Sequence, residues 1–423
     1  MYTITDQAFL FKETWSRISK NHYNSDTPIL ARVKKKYDLQ GIKDHVAVPL
    51  SEAGGIGGLV NGFLPEAGGE SGDQMEIEAK DHVGIARIDR KAMKAALTDR
   101  GAWERFTVRP VSKCVESYDT VANILWHGDG TAKICKTHTT GYTAGGATAP
   151  ILQIITPTTG GGPGVEFFNR WLIKGHQVNI SNAAFTAVED ALYTITSVDT
   201  ANSRVTLRRD SGAYDLSAGT NADDRWLVWQ NMFNAAPMGL LGTVSKTAGN
   251  IYTIPYDADN WGAYRYDANG APPSVSLLNH VGNIHSTRIP DECFPDFLLT
   301  SPEVWALLAD IPELQKSITL SPRDKNLKPE YGFGFAALSW VAPTGKVVPI
   351  VKDKHCWRSS LYGLYSDGMY MHHLPDHGWW DEDGRVFLRV PRRPWYEATY
   401  GGYYQNVIHP TFAFEIHDLA YSV

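Results

Sequence analysis

No stretch of this sequence holds 18 or more consecutive apolar residues, so no helical membrane span is expected. The start, Met1 to Leu10, lacks both the basic segment and the apolar core of a secretory signal, and none is expected there. Cysteine is scarce: Cys114, Cys135, Cys293 and Cys356 lie far apart and form no CxxC pair. That spacing argues against a zinc site or a disulfide framework and predicts reduced, buried thiols. There is no GxxxxGK[ST] motif, and the run Gly54–Gly58 fails GxGxxG because Val60 stands where the last glycine belongs. GxSxG, HExxH and EF-hand signatures are also missing. The expectation is therefore no catalytic residue, no metal and no cofactor. Excess positive charge is lacking as well. A formal net charge of −6 argues against a chain that binds nucleic acid through its surface as a whole.

What is present is a chain of 423 residues, long enough for two or three units with cores of their own. Its 13 Trp, 20 Tyr and 15 Phe suit large cores and interfaces. Residues 1–43 read as an arm without a self-contained core, with a helix over about Asp6 to Lys20 and a basic run from Arg32 to Lys36. Residues 44–86 read as a long hairpin. Alternation at His45–Leu50 and at Met75–Glu78 gives two strands, and a glycine-rich tip joins them. The stretch 44–79 has seven acids (Asp44, Glu52, Glu66, Glu70, Asp73, Glu76 and Glu78) and no lysine. A lone hairpin is marginal in water, so this one should lie on a surface, its own or a neighbour's.

Residues 87–129 read mainly as a long helix within a unit spanning 87–145. Val111, Cys114, Val115, Tyr118, Val121, Ala122 and Leu125 share one helical face, and Gly128–Asp129–Gly130 forms a stop. Pro110 is expected to kink or break this helix near its middle. Residues 146–164 read as a linker. Short strand-like runs separated by turn clusters over 165–232 suggest a small all-β unit. Residues 233–365 are mixed, with a helix carrying Leu277, Leu278, Val281 and Ile284, a buried strand at Phe297–Thr300, and a helix capped by Ser301 with Pro302 at its first position. Residues 366–423 are rich in strands and aromatics.

Three clusters invite chemistry. His372, His373 and His377 with Asp376 and Asp381 match no standard zinc spacing, and surface histidines near a turn are the plainer reading. Asp381–Glu382–Asp383 before Gly384 reads as a turn. Arg87, Arg90, Lys91, Lys94, Arg100, Arg105, Arg109 and Lys113 form either a solvated helix face or a face held near nucleic acid by sequence-independent attraction.

The order of parts resembles the major capsid protein of tailed bacteriophages, with the HK97-like fold. Ile124–Leu–Trp–His–Gly–Asp–Gly–Thr131 is similar to the end of that family's spine helix. Arg288 to Pro302 is similar to its axial strand and following helix, and the unit at 165–232 to insertion domains of some members. The resemblance implies an α+β chain with an N-terminal arm, an extended E-loop hairpin, a spine helix, peripheral and axial domains, and an inserted small all-β domain. It implies a structural protein of the virion, assembled in the host cytoplasm into hexamers and pentamers of an icosahedral shell around packaged double-stranded DNA. A separate scaffolding protein and a portal would be partners. It places Glu52, Gly54, Gly55, Gly57, Gly58, Glu66, Glu70 and Asp73 in an inter-subunit loop. Arg100, Arg105, Arg109 and Lys113 would face the DNA by nonspecific contact. The missing lysine in 44–79 speaks against an E-loop covalent crosslink. Two other classes stay open: a β-rich carbohydrate-active hydrolase with a groove along 376–403, or another virion part such as a decoration or tail protein.

Overall fold

The computed structural model describes residues 27–52, 54–58, 66, 68–90, 109–143, 151–155, 170–199, 204–212, 225–311, 314, 338–381 and 384–421. The helix expected over Asp6 to Lys20 lies outside them. One sheet is organised by the 14-residue strand Trp395–Ile408. Along one edge it pairs antiparallel with Lys80–Asp89, from Trp395↔Asp89 to Tyr404↔Lys80. Along the other edge it takes Met369–His373, Gly378–Trp379 and Leu388–Arg389. Lys34–Lys36 adds in parallel to Met369–His373.

The strand Lys80–Asp89 buries His82, Ala86 and Ile88 and exposes Asp81, Val83, Ile85, Arg87 and Asp89. That period of two is a half-covered strand. Here the reading of a helix from residue 87 is corrected at 87–89, which are strand; residues 91–108 lie outside the described residues, and the described helix is Arg109–His127. Its face of Val115, Tyr118 and Ala122 packs on the sheet with Met371, Tyr400 and Tyr404. Pro110 does not kink it. It occupies the first turn, where its missing N–H would have had no helical partner and its fixed φ suits the helix. The arm is also more than an arm. Ile29, Leu30 and Val33 are buried in the same core, and the basic run ends as a sheet strand.

A second six-stranded sheet runs in the order Tyr264–Asp267, Phe414–His417, Leu361–Leu364, Phe297–Thr300, Val347–Lys352, Leu338–Val341. All four residues of Phe297–Thr300 are buried, as expected of a strand covered on both faces. Ser301 Oγ accepts the Val304 N–H at 3.3 Å and Pro302 follows it, opening the helix Pro302–Ala309. The helix Val275–Ser286 is capped likewise, by Ser274. Phe414–His417 sits between Tyr264–Asp267 and Leu361–Leu364 in this sheet, not with the strands of the sheet around Trp395–Ile408 where the sequence had grouped it.

The third unit is a closed six-stranded barrel. Four of its strands, Gln177–Ser181, Val188–Asp199, Arg204–Gly212 and Arg225–Trp229, fall where short strands were expected. The other two, Lys133–Thr143 and Ile151–Ile155, come from residues assigned to the helical unit and to a linker. Closing the barrel requires them, because they join Arg225–Trp229 to Arg204–Gly212.

Helix, barrel and second sheet meet at a buried polar node. Asn123 Nδ2 donates to Asp353 Oδ2 at 2.9 Å, and His127 Nε2 lies 3.1 Å from the same oxygen. The His355 N–H donates to Asp353 Oδ1, and Trp171 Nε1 donates to the His355 carbonyl at 3.1 Å. Burial raises the Asp353 carboxyl, but His127 beside it and the bonds it accepts outweigh burial and hold it at about 2.

Candidate functional site

The hairpin joins Lys43–Pro49 to Gly72–Glu78 in register from Lys43↔Glu78 to Pro49↔Gly72. The ladder continues outward. Leu50 and Ser51 N–H groups donate to the Ser71 carbonyl at 2.9 and 3.0 Å, and the Ser51 and Ser71 hydroxyls meet at 2.7 Å. Beyond them Gly54 and Gly68 cross backbone to backbone. A Cβ on Gly68 would lie 2.6 Å from the Gly54 Cα, so this crossing requires glycine. Gly55 adds a left-handed turn at φ 89°.

One face of the hairpin base lies on its own chain. Val48, Met75 and Ile77 are buried against Ile251, Ile254, Trp261 and Val407. Thr253 Oγ1 receives the Glu76 N–H at 3.0 Å and donates to the Gln74 carbonyl at 2.7 Å. Two of the arm's seven acids pair with lysines that flank the stretch: Glu76 with Lys43 at 2.5 Å and Glu78 with Lys80 at 2.8 Å. Asp44 stands 3.8 Å from His372. The platform of residues 250–261 was not singled out from sequence, since its two-residue strands are too short for any periodic signal.

The tip is different. Glu52, Gly54, Gly55, Gly57, Gly58, Glu66, Glu70 and Asp73 are all exposed. Glu52, Glu66, Glu70 and Asp73 form no ion pair with any described residue. Ile56 is 96% exposed. Among the described residues the tip is thus acidic and glycine-rich, with the Ile56 side chain in water.

Arg100 and Arg105 lie outside the described residues. Arg109 opens the long helix. Lys113 is exposed and pairs with Glu116, three residues on. Arg87, grouped with them as a helix residue, is in a strand and pairs with Glu397 at 2.7 Å.

The histidine cluster is a ring stack. His373 stacks on Tyr37 at 5.0 Å and meets His377 at 4.5 Å. His377 Nε2 lies 3.1 Å from the Tyr118 hydroxyl, and His82 Nδ1 lies 3.0 Å from that of Tyr404. Burial holds His82 down to about 3, His373 to about 2 and His377 to about 4, so these rings are neutral at ordinary pH. His372 turns to the other side, with Nε2 3.0 Å from Asp38. Among the described residues no three His, Cys, Asp or Glu side chains are grouped to hold a metal. Asp376, Trp379, Trp380, Asp381 and Tyr403 line one hollow, with the Trp380 and Tyr403 rings nearly parallel and 6.1 Å apart.

No family model and no curated protein matches this chain. Solved structures do. The chain is similar to one from the cyanophage A-1(L) capsid, with 10% identity and a TM-score of 0.50 over 94% of each chain. The capsid of a native GTA particle aligns over 94% of this chain and 91% of that one, with 8% identity and a TM-score of 0.42. The capsid of Myoviridae phage XM1 aligns over 93% and 92%, with 10% identity and a TM-score of 0.40. The latter two scores are too low to carry an argument. The first bears on the fold: this chain, strand-rich among its described residues, is folded like the cyanophage capsid chain over nearly its whole length.

Proposed function

We propose that this chain is a major capsid protein of a tailed bacteriophage, a structural subunit that assembles into the hexamers and pentamers of an icosahedral shell around double-stranded DNA. A separate scaffolding protein and a portal would take part, with assembly in the host cytoplasm and residence in the virion. The observation that carries the reading is the hairpin. A fold like that of a phage capsid chain carries an arm whose base is anchored on its own body and whose acids Glu52, Glu66, Glu70 and Asp73 form no ion pair with any described residue. An isolated acidic strip of this kind gains nothing for the monomer. Laid on a neighbour, it would complete an interface of the obligate class, typically above ~2,000 Å². The tip glycines allow the arm to bend as local curvature changes between hexamers and pentamers. Lys113, and Arg109 at the helix start, would supply part of a nonspecific DNA-facing surface.

The test is deletion of residues 52–72 in the full chain, followed by electron microscopy. The parent should form closed polyhedral shells, and the deletion should leave folded subunits that form none. Shells of normal size and stability from the deletion variant would overturn the role given to the arm. Soluble monomers from the parent would overturn the whole reading.

A further inference from the structure

The hollow that holds Trp380 is lined by no hairpin residue. Its volume is about 460 Å³, within the ~300–1,000 Å³ usual for small-molecule sites. Its walls are the turn that follows Met369–His373, the short strand Gly378–Trp379 with Trp380 and Asp381 after it, and Tyr403 of Trp395–Ile408. Backbone bonds hold that wall against the long strand. The Leu374 N–H donates to the Tyr403 carbonyl at 2.9 Å, and the Trp380 N–H to the Thr399 carbonyl at 3.0 Å. Gly378 takes φ 153°, and a Cβ on Gly402 would lie 3.1 Å from the His377 Cα. The two backbones approach this closely because glycine stands at both places. The shape of the hollow is therefore set by the sheet and not by a ligand.

We infer that this hollow is a binding site for an uncharged sugar, as found at the end of a glycan chain. The inference does not depend on the shell reading. Tyr403 is 37% exposed, although residues 400–402 and 404–408 of the same strand are all buried. Strand alternation turns its ring to the face opposite Tyr404, which packs with the helix Arg109–His127. The ring is nonetheless held in place, stacked on Trp380 at 6.1 Å with 21° between the planes. The pair is an ordered aromatic platform in contact with water. A pyranose ring presents C–H groups on one face, which suit an aromatic plane, and hydroxyls around its rim. Asp376 and Asp381 line the same hollow, and both are exposed. Carboxylates accept hydrogen bonds from hydroxyls that are shorter and stronger than those between neutral groups.

The charges select the class of sugar. No lysine or arginine lines the hollow, and the His377 ring in its wall is kept neutral by burial. A phosphorylated sugar, a uronic acid or a sialic acid would meet two carboxylates and no cation. A flat apolar molecule would use the platform and leave both carboxylates facing it without a hydrogen bond. An uncharged pyranose uses both parts at once, with its C–H face on Tyr403 and Trp380 and its rim hydroxyls turned to Asp376 and Asp381.

The test is isothermal titration of the full chain with short oligosaccharides of glucose, galactose, mannose and N-acetylglucosamine, and with oligogalacturonate as the charged control. At least one uncharged oligosaccharide should bind with a dissociation constant of about 1 mM or below, and oligogalacturonate should not. Tyr403→Ala should weaken that binding about tenfold or more while the unfolding midpoint stays with the parent's, since the ring is exposed. Asp376→Asn together with Asp381→Asn keeps the shape of the hollow and should also weaken it about tenfold. Failure of every uncharged oligosaccharide to bind overturns the inference, as does binding that survives both variants. Equal binding of oligogalacturonate overturns the choice of sugar. If the parent binds no sugar and Tyr403→Ala abolishes shells, the platform is a contact between subunits, and the inference falls while the shell reading stands.

Discussion

The two halves of the hairpin are built on different physics. The base buries Val48, Met75 and Ile77 on Trp261 and Val407, ties its backbone to Thr253, and neutralises Glu76 and Glu78 with lysines of the same chain. The tip shares the ladder but little else. Its described residues are mostly glycines and exposed acids. Burial holds the first in place, at roughly 25 cal/mol per Å² of apolar surface. The second has no comparable term, and its shape depends on Ser51–Ser71 and on the Gly54–Gly68 crossing. One half of the arm belongs to the subunit's own stability, and the other is left available to something outside it.

That contrast can be broken at the base first. Trp261→Ala removes a fully buried ring beneath the hairpin and should cost about 3–5 kcal/mol, read as a drop in the urea midpoint. If the cost is under 1 kcal/mol, the base is not anchored as described. The next effect is a pH dependence at the same place. His409 meets Trp261 edge-on at 5.0 Å, and burial holds its imidazole down to about 4. A folded value below the ordinary 6.5 means that stability from the neutral ring is complete above pH 6.5 and is lost as pH falls toward 4. The loss is on the order of 3 kcal/mol. His409→Phe should flatten the acid limb of midpoint against pH relative to the parent.

The tip should respond in assembly and not in stability. Gly68→Ala places a methyl 2.6 Å from the Gly54 Cα and should part the two tip strands, lowering shell yield. The midpoint should move by no more than about 0.5 kcal/mol, as for surface substitutions generally. The smallest effect is expected from Glu52→Gln, Glu66→Gln, Glu70→Gln and Asp73→Asn together. Shell yield measured across ionic strength should lose its salt sensitivity while folding stays the same. A large loss of stability from either tip variant would erase the distinction between the halves.

Local signals were legible in the sequence, and partners were not. The alternations at 45–50 and 75–78 gave the hairpin, and Ser301–Pro302 gave a helix start, because each depends on neighbours in the chain. Residues 87–89 were misjudged as helix because their strand exists through its pairing with Trp395–Ile408. Lys133–Thr143 and Ile151–Ile155 were not seen as barrel strands because closure is a property of six segments at once. The arginines at 385–393 are plain in the sequence. Their gathering with Arg90 depends on the Arg90 N–H bond to the Pro394 carbonyl, which only the folded chain supplies.

The place of Phe414–His417 in the second sheet has a consequence for synthesis. It fills the slot between Tyr264–Asp267 and Leu361–Leu364, so a nascent chain that has passed residue 364 still has a gap in the sheet. At ~5–20 residues per second the gap persists for a few seconds more. Until it is filled, Leu361–Leu364 has an unpaired edge. A product truncated between residues 408 and 414 would thus carry the anchored hairpin base beside an incomplete second sheet. The order of the strands therefore makes closure of the second sheet a late step of synthesis.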